Sequence, residues 1–122
     1  MAASVTLVVD TADTATAIGS GDVPVLATPR VVALAEQATL EAVAGALPEG
    51  HTTVGYRVQL THVAPSPVGD TVRADVVLDS VEGRRLVFRV SVTDGRGLVA
   101  AGYVTRVVVE RDRFLEKARD GA

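Results

Sequence analysis

The sequence predicts an α+β domain in which one long helix packs against a curved antiparallel sheet. Two observations indicate this class. A single helical stretch, from Arg30 to Leu47, consists largely of Ala, Leu, Glu and Gln, which are good helix formers. Four stretches with period-two alternation of apolar and polar residues follow it, as expected for strands with one buried face. A strand before the helix and four antiparallel strands after it make an α+β layout.

The first 27 residues predict one strand and a connection. Residues 4–9 (SVTLVV) have the composition of a short strand. Residues 10–27 are rich in small and polar residues, with 14–18 as a candidate for a second short strand. The stretch Gly19-Ser20-Gly21-Asp22 has the most flexible composition in the chain.

Thr28 and Pro29 mark the predicted start of the helix. A threonine oxygen at the N-cap can accept a hydrogen bond from a free backbone N–H group. Proline suits the first helical position, because its missing N–H would have no acceptor there. Pro48-Glu49-Gly50 predicts the end of the helix. Many positions between are Ala or Val, so we expect close packing against the sheet.

The second half of the chain predicts four strands, over residues 53–63, 71–81, 84–93 and 98–109. A loop with two prolines over 62–70, and hairpin turns at Glu82-Gly83 and Asp94–Gly97, connect them. A short exposed helix is predicted over 111–120. The predicted inward faces carry Val54, Tyr56, Val58, Leu60 and His62; Val72, Ala74, Val76 and Leu78; Leu86, Phe88, Val90 and Val92; and Leu98, Ala100, Gly102, Val104, Arg106 and Val108.

Composition narrows the classes of function. The 122 residues fit one domain, 1–122, and the formal net charge of −3 with scattered Lys and Arg argues against nucleic-acid and polybasic membrane contacts. The absence of cysteine excludes thiolate nucleophiles and disulfides, and two histidines argue against a histidine-rich metal site. The N-terminus lacks a signal-peptide pattern, and no apolar run approaches the roughly 20 residues of a membrane helix. We therefore expect a cytoplasmic protein without a cysteine-based or histidine-rich metal site.

Three polar residues interrupt faces that are otherwise apolar. Glu36 lies in the second turn of the predicted helix among apolar and small neighbours, where a carboxylate either has a buried partner or faces a cleft. His62 continues an apolar strand face, and Arg106 interrupts the face of the last strand. Ordinary structural roles compete with functional ones: a solvated glutamate, a hydrogen-bonded histidine at the core edge, and an arginine paired with a helix carboxylate.

Two further positions could contribute to a site. The hydroxyl of Thr28 lies at the helix start, where free N–H groups and a partial positive charge favour developing negative charge, although capping alone would explain it. Gly55 within a strand marks either the close approach of a ligand to the backbone or a bulge. The sequence contains no nucleophile elbow, P-loop or dinucleotide fingerprint.

The spacing of these residues resembles that of the fluoroacetyl-CoA thioesterase group of hotdog-fold proteins. The similar segments are ATPRVVALAEQATLEAV from Ala27, VGYRVQLTHVAPSPVGDTV, and LDSVEGRRLVFRVSVTDGRGLVAAGYVTRVVV, which together extend from about residue 25 to about residue 114. The resemblance implies a hotdog fold and hydrolysis of an acyl-CoA thioester near a dimer interface, without metal or cofactor.

Matching positions imply a catalytic set of Thr28, Glu36 and His62, with Gly55 and Arg106 on the wall of the acyl pocket. His62 would act as general base supported by Glu36. Thr28 would be the nucleophile or would position an attacking water, and direct attack by Glu36 is a third variant. Backbone N–H groups near Gly55 or at the helix start would hold the oxyanion.

The segment 19–27 departs from the fluoroacetyl-specific pattern. It lacks the bulky aromatic residues of that pattern. We therefore expect a mobile segment, an accessible acyl channel, and a thioesterase that accepts acyl groups larger than acetyl without a marked preference for the fluorinated substrate.

Two other functions compete with hydrolysis: a non-catalytic acyl-CoA-binding hotdog dimer, and a hotdog acyl-CoA hydratase. Such hydratases place an Asp and a His about five residues apart in a strand-to-helix stretch, and neither His51 nor His62 has this partner. Apolar residues on both faces of the last predicted strand indicate a homodimer, with a tetramer as the larger alternative.

Overall fold

The computed structural model describes residues 1–121 and shows a five-stranded antiparallel sheet that curls around one long helix. The elements are β1 (Ala2–Val8), a 3-10 turn (Thr11–Asp13), α1 (Ala15–Ile18), α2 (Thr28–Val43), β2 (His51–His62), β3 (Thr71–Glu82), β4 (Arg85–Asp94), β5 (Gly97–Glu110) and α3 (Arg111–Asp120). The strand order is β1-β3-β4-β5-β2. Over these 121 residues, none of the helices has both the length and the apolar character needed to cross a bilayer.

The core lies between α2 and the concave face of the sheet. The helix contributes Val31, Leu34, Ala35, Ala38, Thr39 and Val43. Ala35 and Ala38 are fully buried, and their short side chains allow the helix to approach the sheet closely. Phe88 of β4 is the largest fully buried side chain in this core, and truncation of such a residue to alanine costs about 3–5 kcal/mol.

The predicted inward faces of β3 and β4 are confirmed by burial of alternate residues along both strands. On β5 the prediction is wrong for Leu98, which is exposed, whereas Val99 is fully buried. A register shift between Val92 and Thr93 of β4 explains this difference, because Val92 pairs with Ala100 and Thr93 pairs with Leu98. Val99 is thus the extra residue on β5.

Residues 14–18 form a helical turn, so the candidate strand at these positions is wrong. The Thr14 side chain accepts a hydrogen bond from the Ala17 N–H at 3.3 Å, and Gly19, with φ of 86°, ends the turn. The chain then returns to the core, where Leu26 donates its N–H to the Ser66 carbonyl at 2.8 Å. We predicted a mobile, open segment over residues 19–27. Residues 19–24 are exposed, whereas residues 25–27 are partly or fully buried.

The start of α2 also differs from the prediction. Ala27 is the N-cap, Thr28 is already helical, and within the described residues no side chain caps this helix end. The hydroxyl of Thr28 is therefore free for another contact. The helix ends at Val43 rather than Leu47, and Gly45 follows with φ of 76°.

A β-bulge in β2 reverses the strand's faces. Gly55 pairs with Arg106 and Arg57 pairs with Thr105, so Tyr56 is an extra residue. The helix-facing side therefore carries Thr53 and Gly55 before the bulge and Val58, Leu60 and His62 after it. The predicted face of Val54 and Tyr56 is wrong: Thr53 is 5% exposed and Tyr56 is 56% exposed. Strict alternation would have separated Gly55 and His62 onto opposite faces, and the bulge places them on the same one.

Candidate active site

Thr28 and His62 form the first group of candidate residues. Thr28 Oγ1 lies 2.8 Å from Nδ1 of His62, which is a hydrogen-bond distance. The contact links the first residue of α2 to the last residue of β2. The other ring nitrogen, Nε2, is buried and has no hydrogen-bond partner within residues 1–121. A buried imidazole nitrogen without a hydrogen-bond partner costs free energy.

A cavity of about 350 Å³ opens beside Thr28 and His62. Its remaining walls come from α1 and the segment after it, from the start of α2, and from the loop that follows β2. These lining residues are small or aliphatic: Ala15, Ser20, Val25, Leu26, Pro29, Val63, Ala64 and Pro65. The cavity is large enough for a short acyl group and contains no aromatic side chain that would narrow it.

Glu36, Gly55 and Arg106 form the second group. The carboxylate of Glu36 lies directly over Gly55, where a Cβ atom would overlap Oε2. Arg106 pairs with Gly55 across the sheet, and its Nη1 lies 3.6 Å from Glu36 Oε2. The Glu36 side chain is 36% exposed, so one side of the carboxylate is open. The absence of a side chain at Gly55 therefore leaves space for the Glu36 carboxylate in this position.

Arg106 is only 7% exposed, and Thr53 holds one edge of its guanidinium group. The Nε–H donates to Thr53 Oγ1 at 2.8 Å, and Nη2 donates to the Thr53 carbonyl at 3.1 Å. Burial lowers the pKa of Arg106 from its ordinary value, and the negative charge of Glu36 opposes this shift. The guanidinium remains cationic at neutral pH. Thr53 was missed by sequence reasoning, because period-two alternation assigns it to the outer face of β2.

The two groups lie apart within one chain. Thr28 and Glu36 are eight residues apart on α2, which corresponds to about 12 Å along a helix axis. Gly55 and His62 are seven residues apart on β2, which corresponds to roughly 20 Å of strand. The structure thus joins Thr28 with His62 and Glu36 with Gly55 and Arg106, and leaves these two groups separate. Over residues 1–121, no cluster of three or more acidic or histidine side chains could hold a metal ion.

Comparison with known proteins identifies the family. Residues 9–112 match the protein family FlK, described as fluoroacetyl-CoA-specific thioesterase. The fluoroacetyl-CoA thioesterase of Streptantibioticus cattleyicolor is 40% identical over 95 residues, which cover 78% of this chain and 68% of that protein. The chain belongs to the fluoroacetyl-CoA-specific thioesterase family.

Solved structures agree with this assignment. A crystal structure of the fluoroacetyl-CoA thioesterase FlK superposes with a TM-score of 0.93 at 32% identity, covering 100% of this chain and 95% of that one. A hot-dog-like protein from Thermanaerovibrio acidaminovorans superposes with a TM-score of 0.91 at 30% identity, covering 98% and 89%. The predicted hotdog fold is confirmed, and this member of the fluoroacetyl-CoA-specific thioesterase family is a thioester hydrolase.

Proposed function

We propose that this thioesterase hydrolyses an acyl-CoA to the free acid and CoA, at a site completed by two copies of the chain. The relatives support the substrate class: one is named for fluoroacetyl-CoA, and a FlK variant at 33% identity was crystallised with fluoroacetate and CoA. The division of the site residues into two groups supports the composite arrangement. The proposal includes a cytoplasmic location, as the sequence led us to expect.

The observation that carries the proposal is the buried Nε2 of His62, which has no hydrogen-bond partner within residues 1–121, together with the partly exposed carboxylate of Glu36. The Thr28–His62 group lacks a carboxylate, and the Glu36 group lacks a base. A second copy of the chain can bring the missing group, because β2 is an edge strand that is free to pair and residues 55–59 in its middle are exposed. Unpaired backbone groups at such an edge readily pair with another strand.

Antiparallel pairing of two β2 strands about a twofold axis would join the sheets into one. It would place the His62 end of one strand beside the Gly55 half of the other, since the two strands run in opposite directions. His62 would then lie near Glu36 of the partner subunit. The homodimer predicted from the sequence follows from the same pairing, and a tetramer would need a second interface.

We propose a role for each ring nitrogen of His62. Thr28 Oγ attacks the thioester carbonyl carbon while its proton moves to Nδ1, the atom that lies 2.8 Å away. Nε2 carries a proton and donates it to the carboxylate of Glu36 of the partner subunit, which stabilises the imidazolium. The C–S bond then breaks, His62 returns the proton to the CoA sulfur, and an activated water hydrolyses the acyl-threonine.

The helix start offers one backbone donor to the oxyanion. Arg30 and Val31 already donate to the Ala27 carbonyl at 3.0 and 3.1 Å, and Pro29 has no N–H. Thr28 therefore provides the remaining donor of the first turn. The backbone of Gly55 from the other group is the second donor that the proposal invokes.

The second part of the proposal concerns which acyl groups the enzyme accepts. The cavity beside Thr28 and His62 has small and aliphatic walls, Ser20 among them. Residues 19–24 are exposed and contain no aromatic side chain. Pocket contacts alone discriminate between near-isosteric acyl groups by only roughly 1–3 kcal/mol. We therefore propose hydrolysis of acyl groups larger than acetyl, with no marked preference for the fluorinated substrate.

A hydrolysis screen tests both parts. Release of the CoA thiol is measured with fluoroacetyl-CoA, acetyl-CoA and a series of longer, branched and aromatic acyl-CoAs. We expect turnover of several acyl-CoAs, with the highest kcat/KM for an acyl group that is larger than acetyl. Tight binding of acyl-CoA without thiol release would instead identify the non-catalytic binder. Selective turnover of fluoroacetyl-CoA would contradict the proposed breadth.

A further inference from the structure

Thr53 is a buried polar residue to which neither the proposed mechanism nor the family assignment gives a role. It lies on β2 two residues before Gly55, and it is only 5% exposed. Its Oγ1 and its carbonyl oxygen both accept hydrogen bonds from Arg106. The side chain thus contacts the guanidinium that lies beside Glu36, and nothing in the described structure brings it to the thioester itself.

We infer that Thr53 is a positioning residue that orients Arg106, and through Arg106 the carboxylate of Glu36. This inference rests on the proposed function. Arg106 has five N–H donors in a fixed planar arrangement. Thr53 occupies the Nε–H and one Nη2 donor, so the opposite edge, with Nη1, faces Glu36 at 3.6 Å.

The 3.6 Å separation is longer than a direct N–H···O hydrogen bond, which is 2.7–3.2 Å. Arg106 therefore attracts the carboxylate without engaging it in the bidentate pair that arginine and carboxylate groups commonly form. Loss of the Thr53 hydroxyl releases the Nε–H, and rotation of the guanidinium then permits a direct pair with Glu36. A Glu36 carboxylate held in this way would be less available to His62 of the other copy.

Thr53, Gly55 and Arg106 share one face of the sheet. Thr53 and Gly55 precede the bulge on the helix-facing side, in register with Val108 and Arg106. Thr53 and Gly55 thus flank Arg106, with the threonine holding its inner edge and the glycine leaving space for Glu36.

Three variants separate positioning from packing. Thr53→Val keeps the shape and the strand preference of the residue but removes the hydroxyl acceptor. Thr53→Ser restores an acceptor at the same atom. Thr105→Val is the matched control, since Thr105 is a second buried threonine of the sheet, 8% exposed, for which no side-chain hydrogen bond is found within residues 1–121.

Two measurements are made on each variant: exchange of the Arg106 Nε–H by NMR, and steady-state kinetics on the best acyl-CoA. We expect Thr53→Val to accelerate the exchange and to lower kcat by about tenfold to a hundredfold, with a smaller change in KM, as for a misplaced catalytic group. Thr53→Ser should recover most of both, and Thr105→Val should match the wild type. Equal losses in Thr53→Val and Thr53→Ser, or an unchanged Nε–H in Thr53→Val, would overturn the inference.

A Glu36→Gln background tests whether Thr53 acts through Glu36. Thr53→Val should add little to the loss caused by Glu36→Gln, because residues that act as a unit are non-additive. The same factor in both backgrounds would contradict positioning. If Thr53→Val fails to fold, Thr53→Ala is measured in its place. If the wild type hydrolyses no acyl-CoA, the proposed function fails, while the Nε–H measurement still decides whether Thr53 orients Arg106.

Discussion

The two groups of site residues differ in what each one lacks. At the start of α2, Thr28 and His62 are hydrogen-bonded at 2.8 Å, and the histidine keeps a buried nitrogen without a partner among residues 1–121. Farther along α2, over the edge strand β2 and its neighbour β5, Glu36 has a buried cationic neighbour and one open side. Under the proposed mechanism, the first group has a nucleophile and a base but no orienting carboxylate, and the second has the carboxylate but no base. The comparison supports the proposal that a single chain holds two incomplete halves of one site.

The largest expected effect comes from the Thr28–His62 group. His62→Ala and Thr28→Ala should each lower kcat/KM by about 10³-fold or more, and the double variant should lose little beyond either single one, because nucleophile and base act as a unit. Steady-state kinetics checks this, with Thr28→Ser as the control that keeps a hydroxyl. If Thr28→Ala retains most of its turnover, the nucleophile is a water or Glu36 rather than Thr28.

The next effect belongs to the Glu36 group. Glu36→Gln keeps the shape of the side chain but removes the charge that stabilises the imidazolium, so kcat should fall by about 10²-fold to 10³-fold. The fold should be retained, because the carboxylate is partly exposed and contributes little to the core. Circular dichroism and light scattering on the same sample verify folding and assembly. Nearly normal kcat in Glu36→Gln would remove this group from the site.

Gly55→Ala tests whether the position of the Glu36 carboxylate matters for activity. A Cβ atom at this position displaces the Glu36 carboxylate, and misplacement of a catalytic group by about 1 Å can cost up to about 10²-fold in rate. Thermal stability should change little, since the overlapping atom ends a flexible side chain. Kinetics and Tm are measured together.

Gly102→Ala is the contrasting control for Gly55→Ala. Gly102 has φ of 154°, and its added Cβ would overlap the backbone carbonyl of Gln59. This variant should lose about 2 kcal/mol or more of folding stability. A stability loss in Gly55→Ala as large as that in Gly102→Ala would show that Gly55 is needed by the sheet rather than by Glu36.

The smallest effect concerns acid stability near the Thr28–His62 group. Arg96 contacts both Asp70 and Asp94, so it links the β4–β5 turn to the loop that follows His62. The hydrogen bond from the Arg96 N–H lowers the pKa of Asp94 from its ordinary value near 3.8. A lowered pKa in the folded state means that the stabilisation is present above the unfolded pKa and is lost as pH falls through the folded one.

Asp94→Asn should therefore make Tm less dependent on pH below about 4, while kcat/KM at neutral pH stays close to that of the wild type. Thermal unfolding from pH 2 to pH 7 measures this. An Asp94→Asn variant with the wild-type acid dependence would show that other carboxylates govern it.

Much of the fold was predictable from the sequence, since burial follows simple periods in α2, β3 and β4. The bulge at Tyr56 was not, because a single extra residue reverses the faces of a strand without any break in the pattern of apolar residues. Thr53 was missed for this reason. The extra residue Val99 on β5 likewise explains why Leu98 is exposed instead of buried.

The candidate site was predicted by residue type rather than by geometry. A threonine before a proline is typical of an N-cap, so we predicted that Thr28 caps the helix. In the structure Ala27 is the N-cap and Thr28 is the first helical residue, and its hydroxyl contacts His62 instead. No local pattern shows that the site residues divide into two groups, because this depends on the length of α2 and β2 and on the exposed edge of the sheet.

Mixed dimers test the composite site most directly. Glu36→Ala and His62→Ala chains, each almost inactive alone, are unfolded together and refolded as a mixture. If each site combines His62 of one chain with Glu36 of the other, every mixed dimer contains one intact site and one doubly damaged site. With random pairing the mixture should regain about a quarter of wild-type kcat per chain, since half of the dimers are mixed in a twofold-symmetric assembly. Activity that stays at the level of the two single variants, with mixed dimers shown to form, would place Glu36 and His62 in the same chain's site and contradict the account.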